Sequence, residues 1–186
     1  MHRAYLRWMG TIRRAAEAGL EVRMITPDKD YAQLVGEHVK MCRPGHGSAP
    51  MEVLGVEEVC EKYSLTSPLQ VIDLLGLMGD SADNIPGCPG VGEKTAQKLI
   101  AQFGSIENLL NNTDQLKGAL KKKVDENVEQ IRFSRFLATI KTDVPLDVEM
   151  ESLKRTEPDK QALRNIFEQL EFRAFIKRLF PEEVKT

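Results

Sequence analysis

Helical and strand patterns alternate in the first 55 residues. Apolar residues recur at helical spacing between residues 5 and 16, which predicts an amphipathic helix. The runs 21–26 and 39–43 are short and mostly apolar, as in buried strands of an α/β sheet, and 51–54 is a weaker candidate strand. A short helix is predicted at 28–35, between the first two strands. We therefore expect a partial parallel sheet in this region.

The pattern becomes helical after residue 55. Short loops separate the predicted helices, which cover residues 56–63, 68–78, 92–103, 105–110, 116–140, 159–170 and 172–180. The second of these helices has a proline, Pro68, at its first position, where a missing N–H costs nothing. We expect an α/β protein with two domains, a partial α/β core at 1–55 and a mostly helical lobe at 56–186.

The composition is that of a globular protein. Hydrophobic residues make up 41% and charged residues 29% of the 186 positions, which is enough to bury a core and unlike a disordered chain. The formal net charge is -2, whereas a nucleic-acid-binding protein usually carries a basic surface. If this chain binds nucleic acid, its basic residues must therefore be clustered at the binding site. Carboxylates elsewhere in the chain must balance their charge.

Cysteine usage and hydropathy exclude several classes of protein. The three cysteines, at positions 42, 60 and 88, are odd in number and far apart, so neither a disulfide framework nor a zinc site is predicted. No apolar run approaches the length of a membrane span, and the first residues lack the pattern of a secretory signal. We expect a cytoplasmic protein with reduced thiols and no membrane association.

Two pairs of aspartates follow predicted elements. Asp28 and Asp30 come directly after the first strand, where ligands bind in open α/β sheets. Asp80 and Asp83 follow a helix, and a helical turn would place both carboxylates on one face. Together the four carboxylates would supply hard oxygen ligands for two Mg²⁺ or Mn²⁺ ions, as in a two-metal phosphodiesterase. Each pair alone has an ordinary alternative, because aspartate also caps helices and closes turns.

A glycine-rich hairpin follows the second pair, at residues 85–92. Its glycines allow tight turns and a close approach of ligand to backbone, and the helix behind it points its first N–H groups at an anion. Such a helix-hairpin-helix suits a sugar-phosphate backbone if Val91 packs inward while the N–H groups of residues 90–92 point outward. The candidate DNA-binding residues here are Gly87, Gly90, Val91, Gly92, Lys94 and Lys98. Carbonyl groups of the same turn could hold a K⁺ ion.

A second basic cluster supplies the local positive charge that a net charge of -2 demands of a nucleic-acid binder. Its members are Lys117, Lys121, Lys122 and Lys123. Most lysine clusters are merely solvated helix faces, and that alternative stays open here. We take Lys121 and Lys122 as candidate DNA contacts.

Two segments of the chain resemble a known family. They are residues 26–30, Thr-Pro-Asp-Lys-Asp, and residues 70–100, which contain the second aspartate pair and the hairpin. Both are similar to the 5′-nuclease domain at the amino end of bacterial DNA polymerase I, a relative of the flap endonucleases, and the likeness extends over residues 19–180. The resemblance implies a structure-specific 5′-to-3′ exonuclease and flap endonuclease that removes RNA primers and displaced flaps with two divalent metal ions.

The same resemblance implies roles for individual residues. Asp28 and Asp30 would form one metal-ligand pair, Asp80 and Asp83 another, and the hairpin would hold duplex DNA that carries a 5′ end or flap. Further metal ligands of the family come before this region, so we expect an incomplete active site in the stand-alone chain. A polymerase domain would accompany the nuclease in a full-length relative. The alternative function is a non-catalytic fragment that binds duplex DNA through the hairpin.

Overall fold

The computed structural model describes residues 2–45, 47, 49–145 and 148–181, with side chains from residue 9 onward. The chain divides into two compact units between residues 146 and 147. The strands and the helices between residues 56 and 138 therefore lie in the same unit. The domain division between residues 55 and 56 stays a prediction.

The first unit begins with a helix and a mixed sheet. Helix α1 (His2–Glu17) precedes strands β1 (Val22–Ile25), β2 (Val39–Arg43) and β3 (Glu52–Leu54), which lie in the order β1-β2-β3. β1 pairs with β2 in parallel, as predicted, because about a dozen residues with a 3₁₀ helix carry the chain back between them. The pairing of β3 with β2 is antiparallel, so only part of the predicted parallel sheet is parallel.

Six helices follow β3 in the described part of the first unit. They are α2 (Val56–Tyr63), α3 (Val71–Met78), α4 (Glu93–Phe103), α5 (Ile106–Asn111), α6 (Gly118–Glu126) and α7 (Val128–Ala138). Short 3₁₀ helices precede α3 (Pro68–Gln70) and α6 (Thr113–Gln115). The α/β fold class with a mostly helical second part is confirmed.

The predicted long helix at 116–140 is wrong, because Asn127 divides it into α6 and α7. The backbone of Asn127 leaves the helical region (φ -122°, ψ 23°). Its side-chain amide donates to the carbonyl oxygen of Lys123 at 2.8 Å, within the last turn of α6. Asparagine competes with helical backbone bonding in this way, which is why it ends helices.

Helix α3 lies in the core of the first unit. A cluster of buried side chains runs from the sheet into the helices and includes Met24, Met41, Leu54, Leu74, Leu77, Ile100 and Ile131. α3 approaches α7 so closely at Gly76 that an added Cβ would lie 3.0 Å from the Cα of Arg135. Buried Asp73 accepts from Arg135 Nε (2.8 Å) and from the backbone N–H of Ile106 (3.2 Å). One carboxylate thus ties α3 to α7 and to the start of α5.

The segment after α3 is bonded to α7. The N–H of Gly87 donates to Ser134 Oγ at 3.0 Å, and Gln130 Nε2 donates to the carbonyl oxygen of Gly87 at 2.8 Å. Gly87 has φ +64°, and a Cβ there would collide with the backbone nitrogen of Gly79. A residue other than glycine does not fit, and this contact holds the glycine hairpin against the end of α3.

The second unit is a small helical segment. It contains a 3₁₀ helix (Met150–Leu153), α8 (Lys160–Gln169) and α9 (Arg173–Leu179). The rings of Phe167, Phe172 and Phe175 contact one another, with centroids 5.6–6.1 Å apart. In the part of the chain that the structure describes, we find no helix that is both long and apolar enough to cross a membrane.

We expect Gly87→Ala to lower the free energy of unfolding by about 2–4 kcal/mol, because positive φ and overpacking each cost about 1–3 kcal/mol. Urea denaturation measures this change. Gly36→Ala is the matched control, since a Cβ at Gly36 meets nothing within 4 Å, and it should change stability by less than about 0.5 kcal/mol. An equally small effect of Gly87→Ala would contradict the close contact with Gly79.

Candidate active site

Asp28 and Asp30 lie where the chain leaves β1. Asp28 is the N-cap of the 3₁₀ helix Lys29–Leu34, and its Oδ1 accepts from the backbone N–H of Asp30 at 3.1 Å. The backbone N–H of Asp28 itself donates to Thr26 Oγ1 at 3.2 Å. The capping role that sequence offered as an ordinary alternative is therefore present. It also fixes the backbone that carries Asp30.

Asp80 and Asp83 lie on a closed turn after α3. Asp80 and Ile85 exchange two backbone hydrogen bonds of 2.8 Å each, which close residues 81–84 into a loop. Asp80 Oδ1 accepts from the N–H of Ala82 at 2.9 Å, an Asx-turn. The segment is thus a turn and not the helical one that the spacing of three suggested. The loop brings the two carboxylates together nonetheless.

Three of the four predicted aspartates converge. Carboxylate oxygens of Asp30, Asp80 and Asp83 lie within 4.8 Å of one another. Asp80 is buried, Asp30 is partly buried and Asp83 is exposed. Asp28 is not a member of this group, but its charge acts on Asp30. Oδ1 of Asp30 is buried and has no hydrogen-bond partner among the described residues.

The crowding of carboxylates is reflected in the protonation of Asp30. Burial raises the pKa of Asp30 from 3.8 to about 6, and the charges of Asp28, Asp83 and Asp80 act in the same direction. The charge of Lys29 opposes them only in part. Near neutral pH, the cluster therefore holds negative charges that the fold alone does not offset well.

Lys29 is part of this cluster, although it was not among the site residues predicted from the sequence. Its ammonium forms an ion pair with Oδ2 of Asp80. Burial works to raise the pKa of Asp80, but the hydrogen bond from Lys29 and that from the backbone of Ala82 outweigh it, and the pKa is lowered. The feature of the sequence that could have indicated this role is the position of Lys29 between the candidate ligands Asp28 and Asp30.

The hairpin has most of the predicted geometry. Val91 is buried (3% exposed), as predicted. Its N–H donates to the carbonyl oxygen of Cys88 at 3.0 Å, so the prediction that this N–H points outward is wrong. Gly92 is the N-cap of α4, and its carbonyl oxygen accepts from the third and fourth residues that follow. Within the described residues, the N–H groups of Gly90 and Gly92 have no hydrogen-bond acceptor. Both can therefore bind an anion.

The predicted basic residues occupy two different settings. Lys94 and Lys98 are exposed on α4, directly behind the hairpin. Lys121 and Lys122 instead form ion pairs within α6, with Asp125 at 2.8 Å and Glu126 at 3.7 Å. Lys123 reaches the hairpin: its Nζ lies so close to Gly90 that an added Cβ would collide with it. The sequence placed Lys123 in the cluster but could not show this contact, which depends on how α6 packs.

The chain is similar to several bacterial DNA polymerases I. It is 43% identical over 173 residues to DNA polymerase I of Bacillus subtilis (strain 168), an alignment that covers 92% of this chain and 20% of that protein. It is 41% identical over 161 residues to the thermostable DNA polymerase I of Thermus aquaticus, covering 86% of this chain and 18% of the relative. The chain therefore spans about a fifth of the length of the curated relatives it matches.

Two solved structures share its fold. T5 5′-exonuclease with bound zinc ions superposes with a TM-score of 0.60 and 21% identity, over 72% of this chain and 48% of that chain. The catalytic core of Rad2 in complex with a DNA substrate superposes with a TM-score of 0.55 and 20% identity, over 87% of this chain and 56% of that chain. At these identities the likeness shows a common fold.

A match to a protein-family model shows the family to which the chain belongs. The family described as "5′-3′ exonuclease, C-terminal SAM fold" matches residues 66–161, which is more than half of the 186 positions. The matched segment contains α3, the turn that carries Asp80 and Asp83, and the glycine hairpin. Residues 70–100, one of the two segments on which the resemblance was based, lie within the match, and the resemblance is confirmed. The chain belongs to the 5′-3′ exonuclease family.

Proposed function

We propose that this chain contributes metal-binding carboxylates and a duplex anchor to a metal-dependent 5′-to-3′ exonuclease and flap endonuclease that acts on DNA. The observation that carries this proposal is the convergence of Asp30, Asp80 and Asp83 directly before the glycine hairpin. The fold is shared with a T5 flap endonuclease in complex with DNA and metal ions, at a TM-score of 0.60 and 20% identity. Membership of the exonuclease family supports phosphodiester hydrolysis as the reaction.

The carboxylates suit a divalent cation. Carboxylate oxygens are the ligands that Mg²⁺ and Mn²⁺ prefer. The orphaned Oδ1 of Asp30 is a second argument, because a buried polar atom without a partner is costly and a cation would satisfy it. Asp30, Asp80 and Asp83 would hold the ion, with Asp28 beside them. The three carboxylates that converge among the described residues would hold one ion, and the second ion that the resemblance implies stays a proposal without assigned ligands.

The two parts of the site have separate tasks in hydrolysis. A bound divalent cation would supply an activated water and stabilise charge on the leaving oxygen. The N–H groups of Gly90 and Gly92, together with Lys94, Lys98 and Lys123, would bind phosphates of the duplex without reading its bases. The hairpin is bonded to the end of α3, because the N–H of Cys88 donates to the carbonyl oxygen of Leu77 at 2.7 Å, and Gly87 is bonded to α7. The bound duplex would therefore sit at a fixed distance from the turn that carries Asp80 and Asp83.

The predicted DNA contacts of Gly87, Lys121 and Lys122, the K⁺ ion and the polymerase domain remain proposals. Gly87 is buried and bonded to α7 through both backbone groups, so its proposed part in DNA binding is to shape the hairpin. A K⁺ ion at the hairpin carbonyls is proposed on the same ground as before, the turn geometry. The relatives, of which the chain covers about a fifth, support a polymerase domain as the natural neighbour of this nuclease.

Cleavage of a 5′-flap duplex tests the enzyme directly. With Mg²⁺ or Mn²⁺ present, we expect Asp80→Ala to lower the rate of cleavage by at least roughly 10–100-fold, the loss that follows when only a supporting partner of a metal ligand is removed. Asp114→Ala is the control, since Asp114 is exposed and outside the cluster. Salt-sensitive duplex binding without any cleavage would instead favour the non-catalytic DNA-binding fragment.

The pKa of Asp30 predicts the pH dependence of stability without metal. Because its pKa is raised from 3.8 to about 6 on folding, the favourable contribution of the protonated form is complete below 3.8 and is lost as pH rises through about 6. We therefore expect Asp30→Asn to stabilise the protein at pH 7.5 by about 1–2 kcal/mol after solvent screening. At pH 4 the gain should nearly vanish.

Urea denaturation in EDTA at both pH values measures this difference. Asp114→Asn serves as the control and should show no such dependence, since Asp114 is exposed. Equal destabilisation by Asp30→Asn at both pH values would contradict the electrostatic account.

The salt dependence of duplex binding tests the anchor. We expect Lys94→Ala and Lys98→Ala each to weaken binding and to reduce the slope of log K against log salt by about 0.9, the value for one phosphate contact. Fluorescence anisotropy with a labelled duplex at several salt concentrations measures the slope. Lys154→Ala is the control, because Lys154 is exposed and far along the chain from the hairpin. An unchanged slope in both α4 variants would refute phosphate contacts by these lysines.

A further inference from the structure

An ammonium group lies inside the carboxylate cluster. Lys29 pairs with Asp80, whose side chain is 5% exposed and is the most buried of the three converging carboxylates, and the Lys29 side chain is 36% exposed. The charge of Lys29 also acts on Asp30 and Asp83. A cation of the protein itself therefore lies against the oxygens that would hold a metal ion.

We propose that Lys29 is the internal counter-ion of this cluster, which neutralises Asp80 when no divalent cation is bound and is displaced when one binds. This inference rests on the proposed metal-dependent function. It makes Lys29 a positioning residue that sets the affinity of the site for metal. It assigns Lys29 no contact with the substrate.

The burial of Asp80 is the reason that a counter-ion is needed. A buried carboxylate without a compensating charge is strongly destabilising, and carboxylate oxygens of Asp30 and Asp83 lie within 4.8 Å of one of Asp80. One ammonium offsets one of these charges. The remaining negative charge is what a divalent cation would be attracted to, and the cation would bring two positive charges in place of one.

The exposure of Lys29 is the reason that it can be displaced. Although Asp80 is buried, the Lys29 side chain is 36% exposed, so solvent screens the ammonium end of the pair and can hydrate the ammonium when it leaves. The flexible four-carbon stem of lysine lets the ammonium swing into water without movement of the backbone. Lys29 can thus neutralise Asp80 in the metal-free protein and still be displaced by a divalent cation.

The local fold determines why Lys29 lies there. Lys29 is the first residue of the 3₁₀ helix Lys29–Leu34, between the capping Asp28 and the candidate ligand Asp30. The hydrogen bond from the Asp30 N–H to Asp28 Oδ1 fixes that turn. The counter-ion and one ligand therefore share a rigid backbone segment, while Asp80 comes from a different element.

Metal binding and metal-free stability both test this proposal in the whole chain. We expect Lys29→Met to bind Mn²⁺ about fivefold more tightly in calorimetric titration, at the lower end of typical coupling between sites. In EDTA the midpoint temperature of unfolding should fall, and Mn²⁺ should restore it. Lys29→Arg, which keeps the charge, should unfold in EDTA like the wild type.

Lys62→Met is the matched control. Lys62 pairs with Glu52 at 2.7 Å and is 31% exposed, but it lies outside the cluster. Its replacement should leave Mn²⁺ affinity unchanged. Lys29→Gln is a second, more conservative variant, which should shift affinity in the same direction if Lys29→Met folds poorly.

The outcomes separate this inference from the proposed function. If Asp80→Asn abolishes Mn²⁺ binding while Lys29→Met binds Mn²⁺ no more tightly than the wild type, the counter-ion role is overturned and the metal centre stands. If Asp80→Asn leaves Mn²⁺ affinity unchanged, the metal centre itself is refuted. In that case the EDTA measurement still decides on Lys29, because an unchanged midpoint in Lys29→Met would overturn its pairing role.

Discussion

The close backbone contact between Gly79 and Gly87 is the constraint on which the rest of the site depends. Gly79 ends α3 and precedes the turn that carries Asp80 and Asp83, while Gly87 opens the hairpin. Their contact leaves no room for a side chain at Gly87, and Ser134 of α7 holds that residue in place. The carboxylates of Asp80 and Asp83 and the backbone N–H groups that we propose bind phosphate are therefore parts of one segment. It is anchored on α3, in which six of eight residues are buried. Because the turn and the hairpin are held together in this way, the distance between the Asp80 and Asp83 carboxylates and the hairpin is fixed.

The cluster has an electrostatic cost in the metal-free protein. Among the described residues, no group bonds to the buried Oδ1 of Asp30, and burial raises the pKa of Asp30 to about 6. Both are unfavourable for a metal-free protein near neutral pH. Lys29 reduces that cost through Asp80 but does not remove it. Buried charged groups in proteins usually have a partner of opposite charge. Buried charges without one are expected at sites where a bound ligand supplies the missing partner. The same reasoning explains why the ordinary roles of aspartate, capping and turn closure, coexist here with a candidate metal site.

Sequence patterns predicted local elements well and their assembly less well. The bounds of β2 and α2 agree with the predicted ranges 39–43 and 56–63, since periodicity, glycine and proline act within a few residues. The predicted helix at 116–140 failed because Asn127 bonds its side chain to the preceding turn, a choice that apolar periodicity does not report. The antiparallel direction of β3 was likewise invisible, because strand direction follows from how the connection closes.

The sequence by itself determined the chemistry that the site can use: acidic pairs at the ends of elements, a glycine hairpin, lysines behind it, and the family to which these motifs belong. Only the tertiary structure decided which residues meet. It brought Asp30 to Asp80 and Asp83 but left Asp28 as a cap, and it drew Lys29 and Lys123 into contacts that no spacing predicted. The physical reason is that residue type and local spacing set what a side chain can do. The packing of distant elements, here α3 against α7 and α6 against the hairpin, sets where it does so.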